Sequence, residues 1–443
     1  MTSPLHILVI NVFFAPFTYG GATHVAEQVS RQLVQRHNVR VTAISAMSRP
    51  EYAPYAVMRA ESSGIVNHLI NLPAGRTVEE IYANPLVADR IARIVRDTAP
   101  DLAHVHCVQD IGADVLARLR DLALPVVLSV HDFWWLCERQ FMIRPDGRYC
   151  GQDPIRIDAC EGCVSDFGAA RRRHQYLREQ VGNADLVTYP SQFALRLCES
   201  SGLAPGKGVV WENGILPPAP DFADRQAARR ANDPRISFAF VGGPSPIKGW
   251  PIIQDAFRAI DRDDFRGYLV DASMDGSWYT PARYEGMKGD WQVHPRYDSR
   301  SIDDFYAKID VLLFLSQWKE TFGLTIREAL ARGILVIQTD AGGASEHGGL
   351  EQVRLLKIGD GPGRLRAEIE AVLGNPNAAR RNPISMTAYA EQADRLMELL
   401  EQKKLIKTDD REHQKSQDGS NVYAKQPRGE DAAVAKPATS PET

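Results

Sequence analysis

Short runs of consecutive apolar residues alternate along this chain with stretches whose apolar positions return every three or four residues. Residues 6–12, 39–45, 102–106, 126–131 and 186–189 form the first set of runs. Runs apolar on both sides predict strands covered on both faces of a sheet. Between them, residues 23–37 and 85–97 carry helical periodicity, so the pattern predicts parallel strands linked by helices. After Asn213-Gly214-Ile215 comes Leu216-Pro217-Pro218-Ala219-Pro220, a stiff extended connection. Strand-like runs resume at 236–241, 267–270, 311–315 and 335–339. The fold class predicted is α/β, with two doubly wound domains facing across a cleft, where ligands sit at strand carboxyl ends. The expected divisions are 1–215, 216–383, a helix within 384–406 that crosses back to the first domain, and a tail at 407–443. The tail is polar and has too few large apolar residues to bury, so disorder is expected there.

Composition narrows the class. At 443 residues the chain is too long for one ordinary core, and 44% hydrophobic with 24% charged residues describes a globular protein. A net charge of −4 provides no global field for a polyanion, so no nucleic-acid partner is expected. The opening residues 4–12 lack a basic segment and read as a buried strand rather than a secretion signal. No run has the length of a membrane span. The expectation is therefore a cytoplasmic protein whose six cysteines stay reduced.

The most informative spacing is Glu320-Thr321-Phe322-Gly323-Leu324-Thr325-Ile326-Arg327-Glu328. Gly323 breaks the chain, and Leu324, Ile326, Ala329 and Leu330 then follow helical spacing up to Gly333. Eight residues at helical rise put the carboxylates roughly 12 Å apart. That span suits a nucleotide-sugar, with one carboxylate at the sugar hydroxyls and the other at the ribose. The helix start between them would offer free N–H groups to a diphosphate.

Further motifs occur in a fixed order: Gly20-Gly21 after the first strand, His131-Asp132 at a strand end, Asn213-Gly214-Ile215, Phe240-Val241-Gly242-Gly243 with Lys248-Gly249, and Ala341-Gly342-Gly343-Ala344-Ser345-Glu346. Together with Glu320–Glu328 this order resembles the retaining glycosyltransferases of family 4, over roughly residues 5 to 400. The resemblance implies the GT-B fold, in which two Rossmann-like domains face each other. It implies Glu320 at the donor sugar's hydroxyls, Glu328 at the ribose, and Lys248 with the backbone near Gly242, Gly323 and Leu324 at the diphosphate. Gly20 and Gly21 would also face the donor, and His131 would lie beside the anomeric centre. A lysine and a helix start can stabilise leaving-group charge, so no catalytic metal is expected. Expected partners are a nucleoside-diphosphate-sugar donor and a hydroxyl on a glycan or lipid-linked acceptor, in surface polysaccharide or glycoconjugate synthesis. The carboxyl-terminal helix near 388–400 would couple closure to donor binding. One departure stands out: where family members carry arginine after the first glycine of this turn, this chain has Gly243. That leaves a catalytically weak scaffold or interaction subunit as the alternative reading. Another GT-B activity, a phosphorylase or an epimerase, is the rival among enzymes.

Four cysteines, Cys137, Cys150, Cys160 and Cys163, follow His131-Asp132 with the spacing C-x12-C-x9-C-x2-C. They sit in a loop rich in Gly and Pro, with little core of its own. A structural zinc site would supply the missing core; disulfides, an iron–sulfur cluster and free thiols are the other readings. Cys107 and Cys198 read as small buried hydrophobes. Arg171-Arg172-Arg173-His174 and Arg178 form the clear basic stretch, either a solvated helix face or a peripheral contact with anionic lipid at the inner face of the membrane.

Overall fold

A computed structural model describes residues 4–273 and 276–406. The predicted tail lies outside the described residues. The first eight strands are β1 His6–Ile10, β2 Arg40–Met47, β3 Val57–Ser62, β4 Ile65–Asn71, β5 Leu102–Val105, β6 Val126–Ser129, β7 Leu186–Tyr189 and β8 Gly208–Val210. They form one sheet in the order β3-β4-β2-β1-β5-β6-β7-β8. Six more, β9 Ser237–Val241, β10 Arg266–Asp271, β11 Asp290–Pro295, β12 Val311–Phe314, β13 Leu335–Thr339 and β14 Val353–Leu356, form a second in the order β11-β10-β9-β12-β13-β14. Both sheets are doubly wound and parallel apart from the β3–β4 pair. The α/β class with two Rossmann-like halves is the architecture observed.

The strands read from continuous apolar runs are those at the sheet centres. In β1, β5, β6 and β13 every residue is buried, as expected for strands sandwiched between helices. The strands missed are peripheral. β3 alternates exposed and half-buried residues and turns into β4 through Ser63 and Gly64, both at positive φ (54° and 74°), a two-residue hairpin turn of the kind that matches strand twist. β8, β11 and β14 are likewise at or next to sheet edges, with half-exposed residues.

The halves meet in several places. The helix Tyr389–Gln402 packs on the helix Gly21–His37, where Asp394 accepts from Arg36 and His37 at 2.7 Å each. Gln392 accepts from the Trp211 indole through its carbonyl (2.9 Å) and from the Gly214 N–H through its side chain (2.7 Å). Gly214 has no room for a side chain, since a Cβ there would lie 2.5 Å from the Tyr389 nitrogen. Trp318, in the loop after β12, sits in the core cluster of the first sheet, edge-on to Phe133 and Phe141.

Candidate active site

Lys248 and Glu320 meet where the second sheet's loops face the first. The Lys248 ammonium donates to Glu320 Oε1 at 2.7 Å, and the Ser316 hydroxyl donates to the same oxygen at 2.6 Å. Lys248 is held there by its neighbour. Gly249 has φ +77°, and a Cβ on it would fall 2.2 Å from the Leu315 carbonyl oxygen, so only glycine lets this turn lie against the end of β12. The Lys248 ammonium also stands 5.7 Å above the Trp318 ring.

Glu320 is not helical. Its backbone bridges to Gly342 in parallel fashion, and the helix begins only at Leu324, ending at Leu330. Helical rise therefore applies to half of the eight-residue gap, which corrects the basis of the 12 Å span: Thr321, Phe322 and Gly323 (φ 148°) carry an irregular turn. The helix start has no side-chain cap, so its first N–H groups are available to an anion. A second uncapped start faces it. The helix Gly21–His37 opens at Gly20 (φ 80°) without a side-chain cap, and a Cβ on Gly21 would lie 3.2 Å from the Leu324 side chain.

Glu328 is buried, 6% exposed. Its Oε2 accepts from Tyr306 (2.8 Å) and Tyr297 (3.4 Å). Burial holds its carboxyl above the usual range, against the pull of the Tyr306 hydrogen bond and the Arg332 charge. In this arrangement the two tyrosines occupy the group that the resemblance assigns to a ribose.

His131 follows β6. Its carbonyl accepts from the Thr321 hydroxyl at 2.5 Å, and the Ser191 hydroxyl donates to the Thr321 carbonyl at 2.7 Å, so the residue next to Glu320 is clasped by the first half. His131 Nε2 bonds His106 Nδ1 at 2.9 Å, and the His106 ring lies tilted against that of His104 with centroids 4.1 Å apart. Burial lowers all three, His131 to about 4 and His104 to about 3, so each ring is neutral near pH 7. Asp132 accepts from the Trp134 N–H, Gln140 and Gln109, which fixes the turn that carries His131.

The chain matches the model of Glycosyltransferase Family 4 over residues 19–217 and that of Glycosyl transferases group 1 over residues 222–404. It is a GT-B glycosyltransferase. A protein from Klebsiella pneumoniae, the uncharacterized 42.6 kDa protein in the cps region, is 20% identical over 366 residues, covering 77% of this chain and 87% of the relative. Among solved structures, sucrose-phosphate synthase from Thermosynechococcus elongatus aligns with a TM-score of 0.65 at 16% identity, covering 90% of this chain and 98% of the other. HepE from Anabaena, in complex with UDP and glucose, has a TM-score of 0.60 at 16% identity over 89% and 99% of the two chains. An α,α-trehalose-phosphate synthase from Burkholderia xenovorans, in complex with glucose-6-phosphate, has a TM-score of 0.61 at 13% identity over 90% and 100%.

In this glycosyltransferase Gly242 accepts from the Tyr279 hydroxyl through its carbonyl. Gly243 faces Trp278, and a Cβ there would stand 3.7 Å from its ring, an ordinary contact. The backbone thus tolerates a side chain at this position, and the missing arginine is not imposed by a clash at Cβ. Cys137, Cys150, Cys160 and Cys163 are all free and half-buried. Burial pushes the Cys137 thiol up to about 11 and also raises Cys150 and Cys160. Among the described residues no group of three or more His, Cys, Asp or Glu is placed to hold a metal ion, so the four-thiol zinc site expected from spacing is not assembled here. The loop is tied by the isolated bridge of Ile143 with Tyr149 and by Gln152, which donates to Cys160 Sγ at 3.6 Å, and its thiols lie near enough to raise one another. Cys198 is buried, as expected, but Cys107 is half-buried. No helix among the described residues is long and apolar enough to cross a membrane.

Ser316, Trp318, Thr321, Ser191 and His106 belong to this region and were not read from the sequence. Ser316 and Trp318 lie four and two residues before Glu320, and His106 follows β5, which pairs with the strand β6 that leads to His131. Their proximity in the chain or in strand order was the available signal; Ser191, distant in sequence, gave none.

Proposed function

We propose that this glycosyltransferase moves a sugar from a nucleoside-diphosphate-sugar to a hydroxyl of a glycan or lipid-linked acceptor, with retention at the anomeric carbon. The carrying observation is the Lys248–Glu320–Ser316 cluster, one residue from the Thr321–His131 bond. The nucleotide would lie on the carboxyl-terminal half and the acceptor on the amino-terminal half. Lys248 and the bare helix starts at Gly21 and Leu324 would neutralise the diphosphate, which supports chemistry that needs no catalytic metal. Glu320 would accept from sugar hydroxyls, and neutral His131 would stand by the anomeric carbon. Glu328 would reach the ribose by exchanging a tyrosine for a sugar hydroxyl. In the step itself the bond from the anomeric carbon to the phosphate oxygen breaks, and one to the acceptor oxygen forms on the same face. The acceptor proton passes to the departing diphosphate.

The relative in a cps region and the UDP and sugar-phosphate complexes of the structural neighbours support a role in surface polysaccharide or glycoconjugate synthesis, in the cytoplasm or at the membrane's inner face. Gly243, with no arginine to join Lys248, favours the second reading, a weakly active scaffold. A panel of UDP-, GDP- and ADP-sugars, read by thermal shift and by release of nucleoside diphosphate, separates the two. The enzyme reading requires one donor to stabilise the protein and turn over, and Lys248→Met and Glu320→Gln to reduce turnover by about a hundredfold or more. Binding without turnover, or neither with any donor, would sink the enzyme reading and leave the scaffold.

A further inference from the structure

The helix Phe167–Val181 carries Arg171, Arg172 and Arg178 on its exposed surface. With Lys207 and His174 they line a groove of about 890 Å³. Elsewhere this protein pairs helical arginines with carboxylates one turn away, as in Arg225–Asp221, Arg364–Glu368 and Arg366–Glu370. Here the positions four residues beyond Arg171, Arg172 and Arg178 are Gln175, Tyr176 and Gly182, none of them an acid. Among the described residues, none of these three arginines nor Lys207 has a carboxylate oxygen within 4.0 Å. The acid in the lining is Glu179, and Gln175 donates to it at 2.9 Å.

Two of the cations are also held in place. The Arg178 Nε donates to the Gly202 carbonyl at 3.0 Å, and its guanidinium lies on Gly202, where a Cβ would come within 2.5 Å of Nη2. The Lys207 ammonium donates to the Gly182 and Ala184 carbonyls at 2.9 and 3.1 Å. These bonds orient both groups and leave their charges uncompensated. Guanidinium groups so placed match phosphate oxygens. No lining residue of the groove belongs to the Lys248–Glu320 cluster.

We propose that this groove binds a phosphate-bearing anion, separately from the donor site. Two sources share that chemistry, a soluble diphosphate and the headgroup of an anionic lipid, and the groove's volume admits either.

The test uses the full chain carrying Lys248→Met, so that diphosphate binding in the donor cleft does not mask the groove. Inorganic pyrophosphate is titrated by calorimetry, and vesicles of phosphatidylcholine with or without phosphatidate are co-sedimented. Arg171→Gln with Arg172→Gln is compared with Arg93→Gln and Arg120→Gln, an equal loss of charge at exposed positions outside the groove. The groove pair should weaken one of the two ligands by about tenfold or more, and the control pair should leave it unchanged. An effect on pyrophosphate assigns the soluble source, and one confined to phosphatidate vesicles assigns the headgroup. The proposal is overturned if neither ligand binds, if the groove pair binds as well as the parent, or if the control pair loses as much.

Discussion

Trp318 belongs by sequence to the carboxyl-terminal half, yet its ring is 4% exposed within the other half's core. Its centroid lies 5.0 Å from that of Phe141 and 6.3 Å from that of Phe133, both edge-on, and its indole Nε1 is buried with no hydrogen-bond partner among the described residues. Trp318→Ala removes the whole ring and should cost about 3–5 kcal/mol, the range for a buried aromatic cut to alanine. Trp318→Phe keeps an edge-on ring, worth about 0.5–1.5 kcal/mol beyond area burial. It also deletes the unpaired N–H, whose burial costs about 1–3 kcal/mol, and so offsets the packing lost to a smaller ring. Phenylalanine should therefore lie within about 1–2 kcal/mol of the parent. Urea unfolding followed by far-ultraviolet circular dichroism, at equal slope, gives both values. If phenylalanine costs as much as alanine, the indole N–H is not an unpaired liability and the argument fails. Alanine should additionally loosen donor binding, because Glu320 is two residues on and Lys248 loses the ring beneath it.

Glu320→Gln releases Lys248 from its ion pair while losing the acceptor for sugar hydroxyls. It should bind the bare nucleoside diphosphate at least as well as the parent, yet turn over the nucleotide-sugar about a hundredfold more slowly; equal losses in both would contradict the partition. Burial raises the Glu328 carboxyl, so the folded chain holds this proton more tightly than the unfolded one. The group's contribution to stability accordingly falls as pH rises from the ordinary carboxyl value, about 4.3, through the raised folded value. Glu328→Gln cannot ionise and escapes that fall, so its stability relative to the parent should be more favourable at about pH 7 than at about pH 4. Urea midpoints that differ by the same amount at both pH values would refute the raised carboxyl. Gly249→Ala forces an L-residue into left-handed backbone, about 1–2 kcal/mol, and adds the overlap with the Leu315 carbonyl. A lower melting temperature with loss of donor stabilisation is expected, and an unchanged melting temperature would show that the turn is not held as described.

The centre of the fold was legible because buried parallel strands have no solvent face. Residues 335–339 and 186–189 read directly as β13 and β7. Edge strands such as β3 lack that signature, since one side of each faces water. In the candidate site, Lys248 and Glu320 were nameable from local motifs, and their contact was not, because it depends on Gly249 folding one loop against another. The Glu320–Glu328 spacing named two residues but assumed one helix. The extended residue 320 bridging Gly342 shows the first carboxylate to be placed by a strand-like contact, and only the second by the helix. The cysteine spacing had the same weakness, since separation along a loop says little about the geometry in which its sulfurs meet.

The Lys248–Glu320 pair bears on how a donor would enter. A lysine one-third exposed gains little from a single carboxylate, because solvent screens the pair. A diphosphate presents more negative charge, and in this cleft it would also meet the bare helix starts at Gly21 and Leu324. The ammonium should therefore transfer from Glu320 to the diphosphate when a donor arrives. Glu320 keeps the Ser316 hydroxyl on Oε1 and regains that oxygen's second lone pair at the moment sugar hydroxyls come within reach. The clasp of Thr321 by His131 and Ser191 keeps the backbone beside Glu320 fixed while the lysine moves. With Gly243 in place of arginine, either another arginine joins Lys248 or the helix starts must bear a larger share of the diphosphate charge.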